Sequence, residues 1–472
     1  MAIALWAKLM PDTPAIIAPA GERTFAQLNA RSNQIVRALP HHPVNWHLTG
    51  EEAAYVVNDC DAKAFFVEGR FQAAAKLVAA AASQVTVPVA IGEAIPGHAQ
   101  YEELLDTHDE SDIDDPQPGT AMLYTSGTTG RPKGVFRPTQ SSAPTLSTVA
   151  ANYEPGKSVH LCAGPLYHAA PLSFSLAIPN AYGATVVMMD GWDAAAALEL
   201  IQKYRVTHTH MVPTMFHRLL SLPDADRRRY DSSSLNYVLH GAAPCSVPLK
   251  QTLIDWLGPI VNEYYAATEG TGTFVDSATW LRRPGTVGKP PGADHIVIRN
   301  DAGRQLPANE VGIVYLQAPD AGRFIYYKDE QKTAKAYRGD YYTLGDMGYL
   351  DADGYLYLTD RSAHLIISGG VNIYPAEVEA VLLTHPAIAD VGVIGVPNAE
   401  WGEEVKAVAT LHAGHAPTQA LGNELIEYCR ARLAHFKCPR SVDFVASLPR
   451  QDNGKLYKQK LREEYRAKNT QP

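Results

Sequence analysis

The feature that most constrains the fold of this 472-residue chain is a loop at residues 124–134, in which glycines and hydroxyl side chains precede a lysine. Short apolar runs at 121–124 and 134–136 flank the loop and predict two strands that enter and leave it. Backbone amides beside glycine, hydroxyl groups and an ammonium group all suit the oxygens of a phosphate chain. The residues that we expect to contact phosphate are Thr125, Ser126, Gly127, Thr128, Thr129, Gly130 and Lys133.

This loop is not a Walker loop. The G-x-x-x-x-G-K-[ST] spacing is absent, and Pro132 lacks the amide that the start of a helix would offer to a phosphate. A surface hairpin turn rich in glycine and threonine is the alternative interpretation. The density of hydroxyls, glycines and a lysine in so short a segment favours phosphate binding.

Composition narrows the class of protein. Hydrophobic residues make up 46% and charged residues 19% of the chain, which is typical of a folded protein. The formal net charge of −9 argues against a nucleic-acid partner, although lysine and arginine are concentrated in 430–468. No apolar run approaches the ~20 residues of a membrane helix, and the N-terminus does not resemble a signal peptide. We therefore expect no transmembrane segment. The five cysteines are scattered without the paired spacing of disulfides or zinc sites, so we expect a cytoplasmic protein.

The pattern of apolar residues predicts an α/β fold. Short β-branched runs neighbour helical or turn-like stretches, as buried strands of mixed sheets do. These runs are 184–189, 236–239 and 390–396. We expect residues 1–361 to form a large composite N-terminal domain of mixed sheets and helices. After the turn-rich stretch 350–354, a strand and a helix that opens near Pro375 predict a smaller α+β C-terminal domain at 362–472, whose mobility is implied only by the resemblance described below.

Further short blocks occur along the chain in a recognisable order. They are Leu166-Tyr-His-Ala-Ala-Pro171, His240-Gly-Ala-Ala-Pro-Cys245, Tyr265-Ala-Ala-Thr-Glu269, Gly345-Asp346, Thr359-Asp-Arg361, Ser368-Gly-Gly370, Trp401-Gly-Glu403, Phe436-Lys-Cys-Pro-Arg440 and Asn453-Gly-Lys455. Together with the loop at 124–134, these blocks resemble the adenylate-forming (AMP-binding) superfamily over nearly the whole chain. The closest resemblance is to bacterial fatty-acyl-CoA synthetases.

This resemblance implies an enzyme, an AMP-forming acid–thiol ligase. Such a ligase activates a fatty or related carboxylic acid as acyl-AMP, releases pyrophosphate and transfers the acyl group to coenzyme A. The implied ligands are ATP, Mg²⁺, coenzyme A and the small-molecule acid. Two alternatives stay open: an aryl-CoA ligase of the same superfamily, and a catalytically impaired relative that only binds acyl or nucleotide ligands.

The resemblance also assigns roles around the nucleotide. Thr268 is expected to bond the α-phosphate, and Glu269 to hold Mg²⁺, which prefers carboxylate and phosphate oxygens. Asp346 would accept hydrogen bonds from the ribose hydroxyls, and Arg361 would bridge ribose and phosphate. Adenine would lie between the ring of Tyr265 and a wall of small residues. That wall consists of Gly241, Ala242 and Ala243.

Other implied roles concern the reaction itself. Lys455 matches the lysine that neutralises charge during adenylation, and His168 matches a histidine near the carboxylate. The glycine pair that would let pantetheine approach the backbone is Gly369 and Gly370. The cations expected at the phosphates of coenzyme A are Lys437 and Arg440. The acid pocket is expected around His168, residues 211–215, His240 and residues 265–271.

Family resemblance further implies that the C-terminal domain rotates between the two half-reactions. The hinge residue, usually Asp or Lys, aligns with Ala363, and His364 follows where Asp is usual. We expect this difference to change the electrostatics of the hinge but not its flexibility.

One expected segment is missing from the N-terminal region. Relatives carry a strand–helix–strand stretch where this chain has only Pro40-His-His-Pro43 before Val44. So few residues cannot replace a parallel crossover, which needs a dozen or more. The loss should uncover apolar surface, with reduced stability or association, for example as a homodimer, as the consequence.

Overall fold

A computed structural model describes most of the chain. The described ranges are 2–38, 48–114, 121–125, 132–138, 152–292, 294–320, 322–361, 364–368, 371–398, 401–450 and 456–469. The proposed gap at 40–43 and the hinge residue Ala363 therefore lie outside the described residues.

Strands and helices alternate along much of the described chain. The strands are β1 (Pro14–Ala18), β2 (Gly21–Thr24), β3 (Ala64–Glu68), β4 (Val87–Ile91), β5 (Ala99–Gln100), β6 (Leu123–Thr125), β7 (Lys133–Phe136), β8 (Val159–Cys162), β9 (Thr185–Met188), β10 (His208–Met211), β11 (Tyr237–His240), β12 (Val261–Ala267), β13 (Gly270–Val275), β14 (Ile296–Arg299), β15 (Gly312–Gln317), β16 (Ile325–Tyr326), β17 (Tyr337–Arg338), β18 (Tyr341–Leu350), β19 (Leu356–Arg361), β20 (Ile366–Ser368), β21 (Val371–Ile373), β22 (Ile388–Asn398), β23 (Gly402–Leu411) and β24 (Ser441–Phe444).

The helices connect these strands across the faces of the sheets. They are α1 (Ala2–Leu9), α2 (Phe25–Ala38), α3 (Gly50–Asp59), α4 (Gln72–Ala81), α5 (Tyr101–Asp106), α6 (Ile178–Ala181), α7 (Ala194–Tyr204), α8 (Pro213–Leu220), α9 (Asp224–Arg228), α10 (Val247–Leu257), α11 (Ser277–Arg282), α12 (Glu330–Ala336), α13 (Pro375–Leu382), α14 (Gln419–Arg430) and α15 (Lys458–Asn469). A π-helical turn, Pro171–Ala177, runs directly into α6. Within the described ranges, no helix combines the length and the apolar character that a bilayer crossing requires.

The largest sheet has the strand order β13-β12-β11-β10-β8-β9-β1-β2. Its central strands are parallel, and its two ends are antiparallel pairs. Helices α7, α8 and α10 cover one face, where Leu198, Phe216 and Leu253 are buried. The strands predicted at 184–189 and 236–239 are confirmed as β9 and β11.

Local sequence explains the crossover helix α7. Asp193 caps its N-terminus by accepting a hydrogen bond from the Ala196 amide at 2.8 Å. Leu198 and Ile201 recur at helical spacing and are buried against the sheet. The helix ends at Arg205, whose φ of 50° lies in the left-handed region and turns the chain toward β10.

The opposite face of the central strands carries imidazole and aromatic rings. Side chains alternate along a strand, so His208 and His210 point away from Met211, which lies in the aliphatic core. The rings that contact one another on this face are Tyr153, His160, Phe174, His208, His210, Tyr237 and Tyr264. The sheet therefore separates an aliphatic layer from an aromatic one.

Smaller sheets complete the N-terminal region. One has the order β14-β15-β18-β17 with β19 beside β18, another has the order β16-β7-β6, and a third is the parallel set β3-β4-β5. In the second, β6 and β7 are antiparallel, and Thr125 faces Lys133. The strands predicted on either side of the loop are thus confirmed, and they are direct neighbours.

The C-terminal region has its own sheet, in the order β21-β20-β23-β22 with β24 beside β23. Helices α13 and α14 pack on this sheet, and α15 buries Leu461 and Tyr465 in a neighbouring cluster. Helix α13 begins at Pro375, where a missing amide costs no hydrogen bond. A domain boundary between 361 and 362 stays a prediction, because 362–363 lie outside the described residues.

Candidate functional site

The strands around the predicted phosphate loop hold its ends together. Thr125 ends β6, Lys133 begins β7, and the two residues pair across the ladder. Burial lowers the pKa of Lys133, and the nearby charges of Asp329 and Glu269 offset this only in part. The intervening predicted residues, Ser126, Gly127, Thr128, Thr129 and Gly130, lie outside the described residues. An ammonium group therefore lies at the mouth of the loop, within the electrostatic reach of two carboxylates.

Contacts from the loop strand fix Thr268 and Glu269. Arg137 follows β7 and donates to the carbonyl oxygens of Thr268 (3.1 Å) and Glu269 (2.6 Å). The Tyr326 hydroxyl donates to Glu269 Oε1 at 2.9 Å, and Tyr326 lies in β16, which pairs with β7. Sequence analysis missed Arg137 and Tyr326, because each contacts a residue far along the chain. The only hint in the sequence is that Arg137 directly follows the strand leaving the loop.

Glu269 fits the predicted role of a magnesium ligand. Its carboxylate offers the oxygen atoms that Mg²⁺ prefers, and the hydrogen bond from Tyr326 orients it. Among the described residues, no group of three or more His, Cys, Asp or Glu side chains could hold a metal by itself. A magnesium ion at Glu269 would therefore need phosphate and water oxygens to complete its coordination. The assignment stays a prediction.

Tyr265 and Asp346, predicted at adenine and ribose, are in direct contact. The Tyr265 hydroxyl donates to Asp346 Oδ2 at 2.7 Å, and both side chains are buried. Asp346 also pairs in register with Arg361 across β18 and β19. Gly345, immediately before Asp346, has a φ of 79°, which glycine adopts without strain. The fold thus gathers three residues predicted from separate motifs.

The wall of small residues at 241–243 follows the end of β11. A Cβ atom on Gly241 would come within 2.6 Å of both the Tyr264 ring and its backbone oxygen. Ala242 has a φ of 65°, a left-handed conformation that strains a residue with a side chain. Strain of this kind costs of order 1–3 kcal/mol and clusters at functional sites. The backbone of the wall therefore lies tightly against the tyrosine that precedes Tyr265.

A buried ion pair lies next to this wall. Lys250 Nζ lies 2.7 Å from Glu263 Oε2, and His240 Nε2 lies 3.5 Å from the same oxygen. All three side chains are buried. Burial raises the pKa of Glu263 while Lys250 opposes the shift, and burial lowers the pKa of His240 well below its usual value. Sequence analysis named His240 but missed Lys250 and Glu263, because a single lysine in an amphipathic helix resembles a solvated residue.

His168 lies directly before the π-helical turn. Its carbonyl oxygen accepts a hydrogen bond from the Leu172 amide at 3.1 Å, and its ring centre lies 4.6 Å from that of Tyr167. The π-helical turn was not predicted, and such turns occur frequently at functional sites. A role for His168 near the carboxylate stays a prediction.

In the C-terminal region the structure describes two of the predicted site residues, Lys437 and Arg440. Lys437 Nζ contacts both carboxylate oxygens of Glu377 at 2.8 Å. The Arg440 guanidinium lies 5.2 Å from the ring centre of the exposed Trp401. Both cations therefore have partners within the protein, and their roles at coenzyme A stay predictions. The other predicted residues, Gly369, Gly370 and Lys455, lie outside the described residues.

The residues on either side of 451–455, the segment that contains Lys455, are well anchored. Arg450 and Leu456 pair in an antiparallel bridge. Two nitrogens of the Arg450 guanidinium donate to the Asp390 carboxylate. The described residues that flank this segment are therefore held to each other and to β22.

Comparison with known proteins identifies the family. The profile of AMP-binding enzymes matches residues 39–326, and the profile of the AMP-binding enzyme C-terminal domain matches residues 377–455. The chain belongs to the AMP-binding enzyme family. The predicted superfamily is confirmed.

Individual relatives of this AMP-binding enzyme extend over most of its length. It is 31% identical over 500 residues to the fatty acid–[acyl-carrier-protein] ligase of Streptomyces coeruleorubidus, covering 96% of this chain and 94% of the relative. It is 32% identical over 434 residues to the indoleacetate–CoA ligase of Aromatoleum aromaticum, covering 89% of this chain and 82% of the relative. The structure also superimposes on that of o-succinylbenzoate CoA synthetase from Bacillus subtilis with its acyl-adenylate intermediate. The TM-score is 0.78 at 27% identity, covering 98% of this chain and 97% of the other.

These similarities confirm three predictions. The fold is mixed α/β, with a large N-terminal and a smaller C-terminal part. The enzyme is an AMP-forming acid–thiol ligase, as its relatives are ligases of the same family. Binding of ATP or AMP follows from the family.

Proposed function

We propose that this AMP-binding enzyme joins a carboxylic acid to coenzyme A through acyl-AMP, with Mg²⁺ on the triphosphate of ATP. The observation that carries the proposal is a set of hydrogen bonds around Glu269. Arg137, which follows β7, donates to the carbonyl oxygens of Thr268 and Glu269, and Tyr326 of the neighbouring strand β16 donates to the Glu269 carboxylate. These bonds bring the ammonium group of Lys133 and the Glu269 carboxylate to one site. A magnesium-bound triphosphate offers the complementary charges, with anionic oxygens for the lysine and a cation for the carboxylate.

In the first half-reaction, a carboxylate oxygen of the acid attacks the α-phosphorus. The bond from phosphorus to the bridging oxygen breaks, and pyrophosphate leaves with that oxygen. Lys133 and Thr268 bind phosphate oxygens, while Lys455 neutralises the charge that develops in the transition state. Glu269 would hold Mg²⁺, which would supply positive charge to the triphosphate when bound.

Orientation of the nucleotide depends on the buried pair Tyr265 and Asp346. Their hydrogen bond fixes the ring against which adenine stacks and the carboxylate that accepts from ribose. Arg361, the cross-strand neighbour of Asp346, is suited to bridge ribose and phosphate. Because Tyr265 and Asp346 are held by their hydrogen bond before ATP binds, these two groups need little reorganisation during the reaction.

In the second half-reaction, the thiol sulfur of coenzyme A attacks the acyl carbonyl carbon. The carbon–oxygen bond to AMP breaks, AMP leaves, and the thiol proton passes to solvent. Gly369 and Gly370 admit the pantetheine arm, and Lys437 and Arg440 bind nucleotide phosphates. The ion pair between Lys437 and Glu377 is partly exposed, with side chains 27% and 38% exposed. Such pairs contribute ~0–1 kcal/mol, so exchanging the carboxylate for a phosphate costs little.

The acid is a fatty or related carboxylic acid, with an aryl acid as the alternative. The relatives support both kinds of acid, because one is a fatty acid ligase and another is an indoleacetate ligase. The five cysteines are free thiols, which supports a cytoplasmic location.

A second candidate function is nucleotide or acyl binding without turnover. It is favoured by the alignment with the Streptomyces relative, which runs over 500 residues and is longer than this chain of 472. The relative therefore has residues without counterparts here, which is compatible with a missing segment in this chain. A homodimer that covers the uncovered apolar surface belongs to the same proposal.

Acid-dependent exchange of pyrophosphate into ATP tests the proposal. We expect exchange with at least one acid from a panel of fatty and aromatic acids, and AMP release that depends on coenzyme A. Glu269→Gln should lower exchange at least about tenfold by weakening Mg²⁺ binding, with partial recovery at high magnesium. The matched control Glu199→Gln changes an exposed glutamate of α7 and should have no effect. Folded protein that exchanges with no acid would instead support the binding function.

A further inference from the structure

We infer that Phe174 sets the depth of the acid pocket, so that this ligase accepts compact aromatic carboxylic acids in preference to long alkyl acids. The inference rests on the proposed function, because it concerns the acid of that reaction. Phe174 lies in the π-helical turn that follows His168. Its ring contacts the residues that directly precede two segments expected to line the acid pocket, 211–215 and 265–271.

Phe174, His210 and Tyr264 form a contiguous group, here called the ring cluster. The centre of the Phe174 ring lies 4.7 Å from that of Tyr264 and 5.6 Å from that of His210. His210 Nε2 and the Tyr264 hydroxyl are 3.0 Å apart and form a hydrogen bond. His210 and Tyr264 are only 1% and 4% exposed, whereas Phe174 is partly exposed. Phe174 is therefore the member of the ring cluster that a substrate meets.

The ring cluster begins next to the proposed adenine wall. Gly241 lies so close to Tyr264 that a Cβ atom would come within 2.6 Å of its ring. The next residue, Tyr265, bonds Asp346. The acid must present its carboxylate to the α-phosphate of a nucleotide bound there, so its other end points away from the nucleotide. A tail that extends along β12 on this face of the sheet then meets Phe174.

Little space lies behind Phe174. The described residues there enclose a cavity that admits about one water molecule, with Ile178, His160 and Tyr237 among its walls. His160 is buried, and its Nε2 has no hydrogen-bond partner among the described residues, so this wall is polar. An alkyl tail gains free energy by burying methylene groups in apolar surroundings. Phe174, Ile178 and Leu239 make part of the cavity lining apolar, but the cavity is too small to bury a long tail.

The chemistry of the ring cluster suits an uncharged aromatic tail. Aromatic rings pack favourably against one another in offset or edge-to-face contacts, and Phe174 presents a ring to the pocket. Burial lowers the pKa of His210 to about 4, so its imidazole is neutral at physiological pH. It therefore carries no positive charge that would hold a second carboxylate.

Pyrophosphate exchange with benzoate, phenylacetate, hexanoate, decanoate and palmitate tests the inference. The wild-type enzyme should have a kcat/KM for the better aromatic acid at least about tenfold above that for palmitate. Phe174→Ala should raise the ratio of decanoate to benzoate at least about tenfold, because the volume that the ring occupies at the end of the pocket then becomes available to the tail. Phe174→Leu, which removes less volume, should change the ratio in the same direction by a smaller factor.

Tyr182→Ala is the matched control, since it removes an exposed aromatic ring just after α6 without touching the ring cluster. It should leave the ratio unchanged. A wild-type preference for palmitate over both aromatic acids would overturn the inference while leaving the proposed function intact. An unchanged ratio in folded Phe174→Ala and Phe174→Leu, checked by thermal melting, would do the same. Wild-type protein that exchanges with no acid would overturn the proposed function itself, and the inference with it.

Discussion

The two parts of this enzyme hold their charged residues in different ways. Around the nucleotide site, the pairs Tyr265–Asp346 and Lys250–Glu263 are buried and closely bonded. In the C-terminal region, Lys458 and Glu379 are also largely buried, but Arg450 and Asp390 remain 25% exposed in their side chains, and Lys437 pairs with a partly exposed carboxylate. Buried bonds pre-organise a site, whereas exposed pairs are weak and can exchange partners. The difference is compatible with the proposed rotation of the C-terminal region between the two half-reactions.

The two parts also touch each other. His217 of α8 forms a hydrogen bond with the carbonyl oxygen of Ala389, and its ring centre lies 6.2 Å from that of His412. Burial lowers the pKa of His412. Both of these contacts involve polar side chains, which is compatible with a rotation of the C-terminal region.

The largest effect should come from Lys455→Ala, which removes a proposed charge of the C-terminal region from the nucleotide site. Loss of one group that stabilises transition-state charge costs about 10²–10³ in rate, so adenylation should fall by that factor. Thioester formation from chemically supplied acyl-AMP should change less than about threefold, because no phosphoryl transfer occurs in that step. Pyrophosphate exchange measures adenylation, and acyl-CoA formation from the supplied acyl-AMP measures thioester formation. Lys460→Ala, an exposed lysine on α15, is the control, and equal loss in both half-reactions would contradict the assignment.

A smaller effect is expected from Ala363→Pro at the proposed hinge. Proline fixes φ and removes a backbone donor, so it should restrict rotation of the C-terminal region. Thioester formation should fall by more than about tenfold, with adenylation changed less than about threefold. Ala363→Ser, which keeps backbone freedom, should leave both rates unchanged. If proline lowered pyrophosphate exchange and acyl-CoA formation equally, the hinge assignment would be wrong.

The last effect concerns stability at low pH, and it should come mainly from the buried imidazoles of the N-terminal region. Burial lowers the pKa of His160 well below its usual value and that of His210 to about 4. Between about pH 6.5 and pH 4 the unfolded chain binds protons that these folded residues do not, so stability falls as pH falls. His210 alone should cost about 2 kcal/mol at pH 5 relative to pH 7.5.

Urea unfolding of the wild type and of His210→Gln at both pH values measures this cost. The variant should lose a smaller part of its unfolding free energy on acidification than the wild type. His415→Gln, at an exposed position of the C-terminal region, should keep the wild-type pH dependence. An identical pH dependence in all three proteins would refute the role of the buried imidazoles.

Local sequence was sufficient to predict individual strands and helices, but not the contacts between residues far apart in the chain. The β6–β7 hairpin follows from two apolar runs around a glycine-rich loop, and the start of α13 follows from Pro375, since turn and cap preferences act over a few residues. The bonds from Arg137 to Thr268 and from Tyr265 to Asp346 join residues that are 131 and 81 positions apart. Such pairings depend on how sheets pack, and no local pattern encodes them. The π-helical turn that carries Phe174 was missed for the same reason.

The buried pair of Lys250 and Glu263 has a consequence for how this sequence can change over evolution or in the laboratory. Replacing either residue alone leaves an uncompensated buried charge, at a cost of about 3–5 kcal/mol. Replacing both together with apolar residues of similar volume is often neutral. The two positions therefore behave as one inherited unit, and lineages that alter one should be found to have altered the other.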